Sequence, residues 1–322
     1  MIAQIALGSL LTKNNLCKHF YRADARKARL YFRKDPAMIQ NVFENKKTLS
    51  FEVFPPKKDG EFEKAYEVLD ALGELSPDFI SVTYGAGGSR SGKTVEIASY
   101  IQNQLGIDAM AHMTCVGNRK EQLLQVYEEL KKHNVRHVLA LRGDRPKDMT
   151  DEQFLSRDFA HASDMMAFLR EHTDLSLSGA CYPEKHFEAF SMESDLNHLK
   201  EKQDAGAEFF ISQLFFDNDY YYSFLEKAAK KGITVPICAG IMPITTSNQL
   251  GTTVTLAGSS IPKALADIIA SYGEQPEEMR KAGIDYAIRQ IRDLQENGVN
   301  DIHLYSMNKP KTTAEIAAGI YR

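Results

Sequence analysis

Eight short β-rich runs alternate with amphipathic stretches of helical length from Thr48 onward, and this alternation restricts the fold more than any other feature. The runs are Thr48–Val53, Phe79–Thr83, Ala109–Thr114, Val135–Leu141, Leu177–Cys181, Phe209–Gln213, Val235–Ala239 and Asp301–Tyr305. Between them apolar residues recur at the spacing that gathers them on one helical face. Phe62, Tyr66, Leu69 and Leu72 form one stripe; Leu123, Val126, Tyr127 and Leu130 a second; Tyr221, Phe224, Leu225 and Ala228 a third. Ile284, Ala287, Ile288, Ile291 and Leu294 form another, stopped by Gly298, which can take the left-handed conformation that ends a helix. Strand–helix alternation implies parallel strands joined by right-handed crossovers. Eight such units in about 270 residues match an α/β fold of the closed (β/α)8 TIM-barrel kind better than an open sheet. The longest gap lies between runs seven and eight, so extra helical material is expected there, with Ile261–Ser271 as its candidate.

Hydrophobic residues are 43% of the 322 and charged residues 25%, so a packed core is available and wholesale disorder is excluded. No uncharged apolar run approaches the roughly 20 residues that span a bilayer. A net charge of −4 argues against a surface built for nucleic acid. The charge is uneven, however: residues 1–37 hold eight Lys or Arg against Asp24 and Asp35. An Arg-rich, acid-poor leader of this kind resembles an organelle transit peptide as well as an upstream extension with Met38 as the natural start; we favour the second, reading 1–37 as a basic N-terminal extension outside the fold and 38–322 as a single domain. The apolar stretch Ile2–Leu11 precedes the basic residues, the reverse of a secretory signal, and a cytoplasmic protein is expected. Cys17, Cys115, Cys181 and Cys238 stand far apart with no C-x-x-C pair, so neither a zinc site nor a disulfide framework is suggested and no metal is expected.

In a barrel the loops at the C-terminal ends of the strands converge over the mouth, and chemistry should gather there. Glu52 stands at the end of the first run, Thr83 and Tyr84 at the second, His112 and Thr114 at the third. Arg142, Gly143 and Asp144 follow the fourth, and Tyr182, Glu184 and His186 the fifth. Gln213 ends the sixth, Gly240 follows the seventh, and Tyr305 and Asn308 mark the eighth. One motif competes. Gly87–Thr94 fits G-x-x-x-x-G-K-[ST], between a β run and the helical stripe Val95, Ile97, Ala98 and Ile101, as a phosphate-cradling P-loop requires. A P-loop ATP- or GTP-binding protein is therefore the alternative reading. Such a hydrolase also needs an apolar strand ending in an Asp that holds magnesium, and Leu214–Asp217 serves poorly because Gln213 interrupts the run. The motif also follows the second strand rather than the first.

Six strand-end motifs resemble one family, in that family's order: Phe51-Glu52-Val53-Phe54-Pro55-Pro56, Ser81-Val82-Thr83-Tyr84-Gly85-Ala86, His112-Met113-Thr114-Cys115, Ala140-Leu141-Arg142-Gly143-Asp144, Tyr182-Pro183-Glu184-Lys185-His186 and Gln213-Leu214-Phe215-Phe216-Asp217. The sequence from about Thr48 to Asn308 is thus similar to methylenetetrahydrofolate reductase. Six motifs in register are far more specific than one P-loop match. The resemblance implies a flavin-binding catalytic barrel holding FAD. It implies that NADH or NADPH supplies hydride and that 5,10-methylenetetrahydrofolate is reduced to 5-methyltetrahydrofolate, with ping-pong kinetics, for methionine synthesis. Relatives form homo-oligomers, so that is expected too.

In that family Glu52 looks like the general acid that assists opening of the folate imidazolidine ring. A carboxyl among Phe51, Phe54 and a flavin would be desolvated and so kept protonated. Asp144 is similar to the aspartate beside the flavin pyrimidine ring, where its charge tunes both half-reactions. Arg142 and Gly143 match the turn at the FAD pyrophosphate, with Arg142 as a planar fork donor. Thr83 and Tyr84 match contacts to nicotinamide and flavin; Ala86, His112, Tyr182, His186 and Ala189 match flavin-lining positions. Asp195, His198 and Lys202 fall on one helical face, which in the family grips the adenosine and phosphate half of FAD. Gln213 matches a residue that meets folate in one half-reaction and nicotinamide in the other, and Gln249 and Lys309 are the remaining substrate-binding positions the resemblance implies. Two departures stand out. Lys309 occurs where bacterial relatives often carry Arg, which keeps the charge but loses the bidentate fork. Thr252 and Thr253 stand where some relatives carry a stacking aromatic. With the chain ending at Arg322, the eukaryotic regulatory domain and S-adenosylmethionine inhibition are not expected.

Overall fold

The computed structural model describes residues 39–43, 46–84, 91–146, 149–251 and 258–321. The extension 1–37, Ala86, the glycine-rich stretch 87–90, Thr252 and Thr253 lie outside them. Eight strands close into a barrel in sequence order: β1 (Thr48–Val53), β2 (Phe79–Val82), β3 (Asp108–Thr114), β4 (His137–Leu141), β5 (Ser176–Cys181), β6 (Ala207–Ser212), β7 (Ile237–Ile241) and β8 (Asp301–Tyr305). Every neighbouring pair is parallel, and β8 closes on β1 with Ser50 opposite His303 and Glu52 opposite Tyr305. The (β/α)8 TIM barrel expected from the alternation is the architecture observed.

The described helices flank it: α1 (Phe62–Gly73), α2 (Ser91–Asn103), α3 (Lys120–Lys132), α4 (Asp151–Leu155), α5 (Ala162–His172), α6 (Met192–Asp204), α7 (Asn218–Lys230), α8 (Lys263–Tyr272), α9 (Pro276–Glu296) and α10 (Pro310–Ile320). The extra material between β7 and β8 is α8 together with a helical segment at 247–251. Their apolar stripes face the sheet. Leu69, Leu72, Leu123, Leu130, Phe224 and Ile291 pack against outward residues of the strands such as Phe51, Ile80, Val138 and Ile302. Each large side chain so buried contributes about 1.5–3 kcal/mol.

Some run boundaries shift, for local reasons. Val135 is not in β4: Asn134 takes φ +58° and the Val135 amide donates to Leu130 O at 3.0 Å, which ends α3 in a Schellman turn. β7 begins at Ile237, after Pro236, whose ring nitrogen has no hydrogen for the ladder; Gly240 is therefore inside the strand rather than beyond it. Gln213 lies one residue past β6.

The barrel interior is divided. Toward the N-terminal ends of the strands, Ile39 and Phe43 of a 3-10 turn (Ile39–Phe43) plug it against Phe79, Met110, Leu139, Phe209, Ile211 and Cys238. Above that apolar layer the lining turns polar. His303 Nδ1 lies 2.7 Å from Ser50 Oγ and its Nε2 3.2 Å from Ser81 Oγ, while its ring stacks on Phe79. Two residues further along their strands come Glu52 and Tyr305, at the mouth.

Candidate active site

Glu52 is largely buried near the end of β1, with 13% of its side chain exposed. No Lys or Arg pairs with it among the described residues; its ionic neighbour is His112, whose Nε2 lies 3.6 Å from Glu52 Oε2. Burial pushes the Glu52 carboxyl up to about 8 and His112 down to about 3. His303, one layer below, is also held near 3 by burial and by His112. Three titratable groups therefore share this pocket in their neutral forms at pH 7, and desolvation disfavours the carboxylate with no charged neighbour among the described residues to offset it. His112 Nε2 is buried and has no hydrogen-bond partner among the described residues.

His112 opens onto a cleft of about 560 Å³ lined by Thr83, Tyr84, Thr114, Gly143 and Asp144 as well. Its far wall is a turn that sequence dictates locally. Gly143 takes φ +81°, and a Cβ there would lie 2.9 Å from Thr114 Cβ, so both the conformation and the space require glycine. The Val116 amide donates to Arg142 O at 2.8 Å, tying the turn to the end of β3. Arg142 and Asp144 are thus held on either side of a fixed glycine.

Arg142 reaches a second, smaller cavity of about 180 Å³, lined by Tyr182, His186, Ala189, Asp195, His198 and Lys202 among others. The turn after β5 is clamped over it by the Asp195 carboxylate, which accepts the His186 amide at 2.9 Å. Lys202 lies partly buried beneath, its ammonium donating to Ala180 O at 2.5 Å, and desolvation pushes its pKa down. His161 and His198 stack with ring centres 5.7 Å apart at the rim. Arg142, Lys202 and two stacked imidazoles form a slot whose chemistry suits a diphosphate joined to a flat heterocycle.

The third group sits on the β6–β8 side. Tyr305 crosses to donate to Ser212 O at 2.8 Å, beside Gln213. Thr245 links the two remaining substrate candidates: its hydroxyl receives the Lys309 ammonium at 3.2 Å, and its amide donates to Gln249 Oε1 at 3.2 Å. The Gln249 amide also donates to Pro243 O, so both ends of that side chain build the loop after β7. Asn308 brackets the loop after β1, accepting the Phe54 amide and donating to Phe54 O, each at 2.9 Å.

The site residues expected from sequence that are described here thus gather at one end of the barrel, in three neighbouring groups. His303, Tyr305 as a cross-barrel brace, His161 and Glu188 were not foreseen. For His303 a signal existed: period-two spacing puts it on the same face as Tyr305, two residues on. For His161 and Glu188 there was none, because their partners are remote in sequence. The P-loop-like segment behaves differently from a phosphate cradle where it is described. Lys93 donates to Lys57 O and Thr94 to Thr83 O, each at 3.0 Å, and the strand before it belongs to a closed barrel.

A family model described as methylenetetrahydrofolate reductase matches residues 37–320. The chain is 34% identical over 268 residues to 5,10-methylenetetrahydrofolate reductase of Pectobacterium carotovorum subsp. carotovorum, covering 83% of this chain and 88% of that one. This chain belongs to the methylenetetrahydrofolate reductase family. Identity to the Escherichia coli K12 protein of that name is 32%, with the same coverage. It is 34% identical to methylenetetrahydrofolate reductase (NADH) 1 of Arabidopsis thaliana and spans 49% of that longer protein. Among solved structures it shares its fold with an uncharacterised Clostridium thermocellum protein that binds two copies of 5-methyl-5,6,7,8-tetrahydrofolic acid, at a TM-score of 0.56 and 17% identity over 92% of this chain and 97% of that one. Membership of the methylenetetrahydrofolate reductase family and the closed barrel agree with each other. No described helix is long and apolar enough to cross a membrane.

Proposed function

We propose that this family member reduces 5,10-methylenetetrahydrofolate to 5-methyltetrahydrofolate with NADH or NADPH, through FAD held at the barrel mouth. The observation that carries the reading is Glu52: a largely buried carboxyl with no Lys or Arg partner among the described residues, 3.6 Å from His112 Nε2, which has no hydrogen-bond partner among them either, and His112 lines the cleft that also holds Asp144.

The residues present fit the cofactor. Arg142, His186, Asp195, His198 and Lys202 would take the diphosphate and adenosine half, and Thr83, Tyr84, His112, Gly143, Asp144 and Tyr182 the ring half. Bound there, FAD would supply the hydride-transfer chemistry that links the nicotinamide to the folate. Glu52 holds a proton at pH 7 because its pKa stands near 8, and it donates that proton to the folate amine as the five-membered ring opens. A proton held by a group of this pKa is available at neutral pH yet leaves readily. Asp144, on the wall of the same cleft, would place negative charge beside the flavin pyrimidine ring and favour the cationic, electrophilic form of the folate. Gln213 and the Lys309–Thr245–Gln249 cluster orient the pterin and the glutamate tail, Lys309 as a point charge for a carboxylate. The working molecule is read as a cytoplasmic homo-oligomer.

Purified full-length protein should be yellow and should bleach anaerobically with NADH or NADPH. Glu52→Gln should still bleach with the nicotinamide but lose folate reduction by at least about a hundredfold, the usual range for a general acid. Equal loss of both half-reactions would overturn the assignment of Glu52. Colourless protein that cannot be loaded with FAD would overturn the reading as a whole.

A further inference from the structure

Arg142 is the planar cation facing the smaller cavity, and its fork is already engaged. Its Nη1 and Nη2 both reach the Glu188 carboxylate, Nη2 to Oε1 at 3.0 Å, while Nε donates to Gly143 O at 3.4 Å. Two parallel bonds to a planar anion are the geometry in which arginine binds a phosphate. Glu188 is aimed there by its own turn. Its amide donates to His186 Nδ1 at 3.1 Å, the Ala189 amide to His186 O at 3.0 Å, and Lys185 Nζ to His186 O and Ala189 O at 3.0 and 2.7 Å. That turn is pinned to α6 by Asp195. The carboxylate is therefore presented by a braced loop rather than by a swinging chain end. It is also half in water, with 48% of its side chain exposed, and ion pairs so exposed are weak.

We propose that Glu188 is a resident stand-in for phosphate: it neutralises the Arg142 fork and must be displaced when the diphosphate of the cofactor binds. This rests on the reading that the cavity takes FAD. The carboxylate shields a half-buried guanidinium and keeps other anions off it. The same contact lowers cofactor affinity, because the exchange trades one charge-assisted pair for another instead of filling free donors. It acts only on ligands that carry the diphosphate.

The test compares the full chain with Glu188→Gln, which keeps the shape and removes the charge. FAD and riboflavin dissociation are read by recovery of flavin fluorescence on dilution, and ADP binding by calorimetry. Expected are at least fivefold tighter binding of FAD and ADP by Glu188→Gln and no change for riboflavin, which lacks phosphate. The gain should vanish on an Arg142→Gln background. Unchanged or weaker binding of FAD and ADP by Glu188→Gln would overturn the proposal and make Glu188 a positioning residue for Arg142. An equal gain for riboflavin would overturn it too, since the effect would not involve phosphate. If the wild-type chain binds no FAD, the cofactor reading fails separately, and the ADP comparison still decides the role of Glu188.

Discussion

Glu52 differs from a surface glutamate only in what surrounds it. The folded chain holds its proton up to about pH 8, whereas the unfolded chain releases it near 4.5. Below 4.5 both states are protonated; between 4.5 and 8 only the folded state keeps the proton, so this residue's contribution to stability falls as pH rises through that window and is flat above it. Glu52→Gln removes the penalty. We expect its thermal midpoint to exceed the wild type by several degrees at pH 8.5, corresponding to a few kcal/mol at most, and to match it at pH 4. A gain of equal size at both pH values would show that the effect is packing rather than charge. Sequence could nominate Glu52 from the motif around it, but not its neutral surroundings, because His112 and His303 come from β3 and β8.

Among the elements, α9 matters beyond the barrel's symmetry. Its Tyr286 donates to Phe216 O at 2.6 Å and its Gln290 to Phe215 O at 2.9 Å, fixing the loop that begins at Gln213. Met279 of α9 and Leu265 of α8 pack with Leu214, Phe216, Ile244 and Leu250, a small separate core beneath the loops after β6 and β7. Tyr286→Phe should lose about 1 kcal/mol of stability, the usual worth of one such bond. It should raise KM for the folate severalfold while nicotinamide-driven flavin reduction keeps its rate; a Tm shift with unchanged KM would make Tyr286 purely structural. β7 carries a sharper demand. A Cβ on Gly240 would lie 2.2 Å from Ser212 O and 2.9 Å from the Tyr305 ring. Gly240→Ala should therefore break the Tyr305–Ser212 brace and destabilise by about 2 kcal/mol or more, seen as a lower urea midpoint. The spacing of apolar residues foretold these helices. It did not foretell which carbonyls their polar residues would hold.

At the scale of the molecule, the buried polar layer makes its own contribution to how stability responds to pH. His112 and His303 stay neutral down to about pH 3 when folded but protonate near 6.5 when unfolded. Each therefore loses stability as pH falls from 6.5 toward 3, while Glu52 loses it as pH rises from 4.5 toward 8. Two histidines outweigh one carboxyl below 6.5, and only the carboxyl acts above. These three groups together predict a maximum of stability near pH 6.5, declining on both sides. Urea midpoints measured from pH 4 to 9 check this; a midpoint still climbing between pH 6.5 and 8 would contradict it. The barrel makes this layer possible, since the Ile39–Phe43 plug closes one end and leaves the polar residues facing the other.

Eight β-rich runs, with helical spacing of apolar residues in the stretches between several of them, determined that the chain alternates strand and helix, because helical and extended backbones impose different spacings and favour different side chains. Short motifs at the ends of the runs were likewise legible, since each is local and its chemistry is written in consecutive residues. Tertiary structure decided what those residues are to one another. Closure of β8 on β1 put Ser50 against His303 and Glu52 beside Tyr305. Closure also left Glu52 with no Lys or Arg partner among the described residues, and the braced turn after β5 set Glu188 on Arg142. Protonation and ion pairing depend on burial and on distances of a few ångströms between distant segments, and no spacing along the chain encodes those quantities.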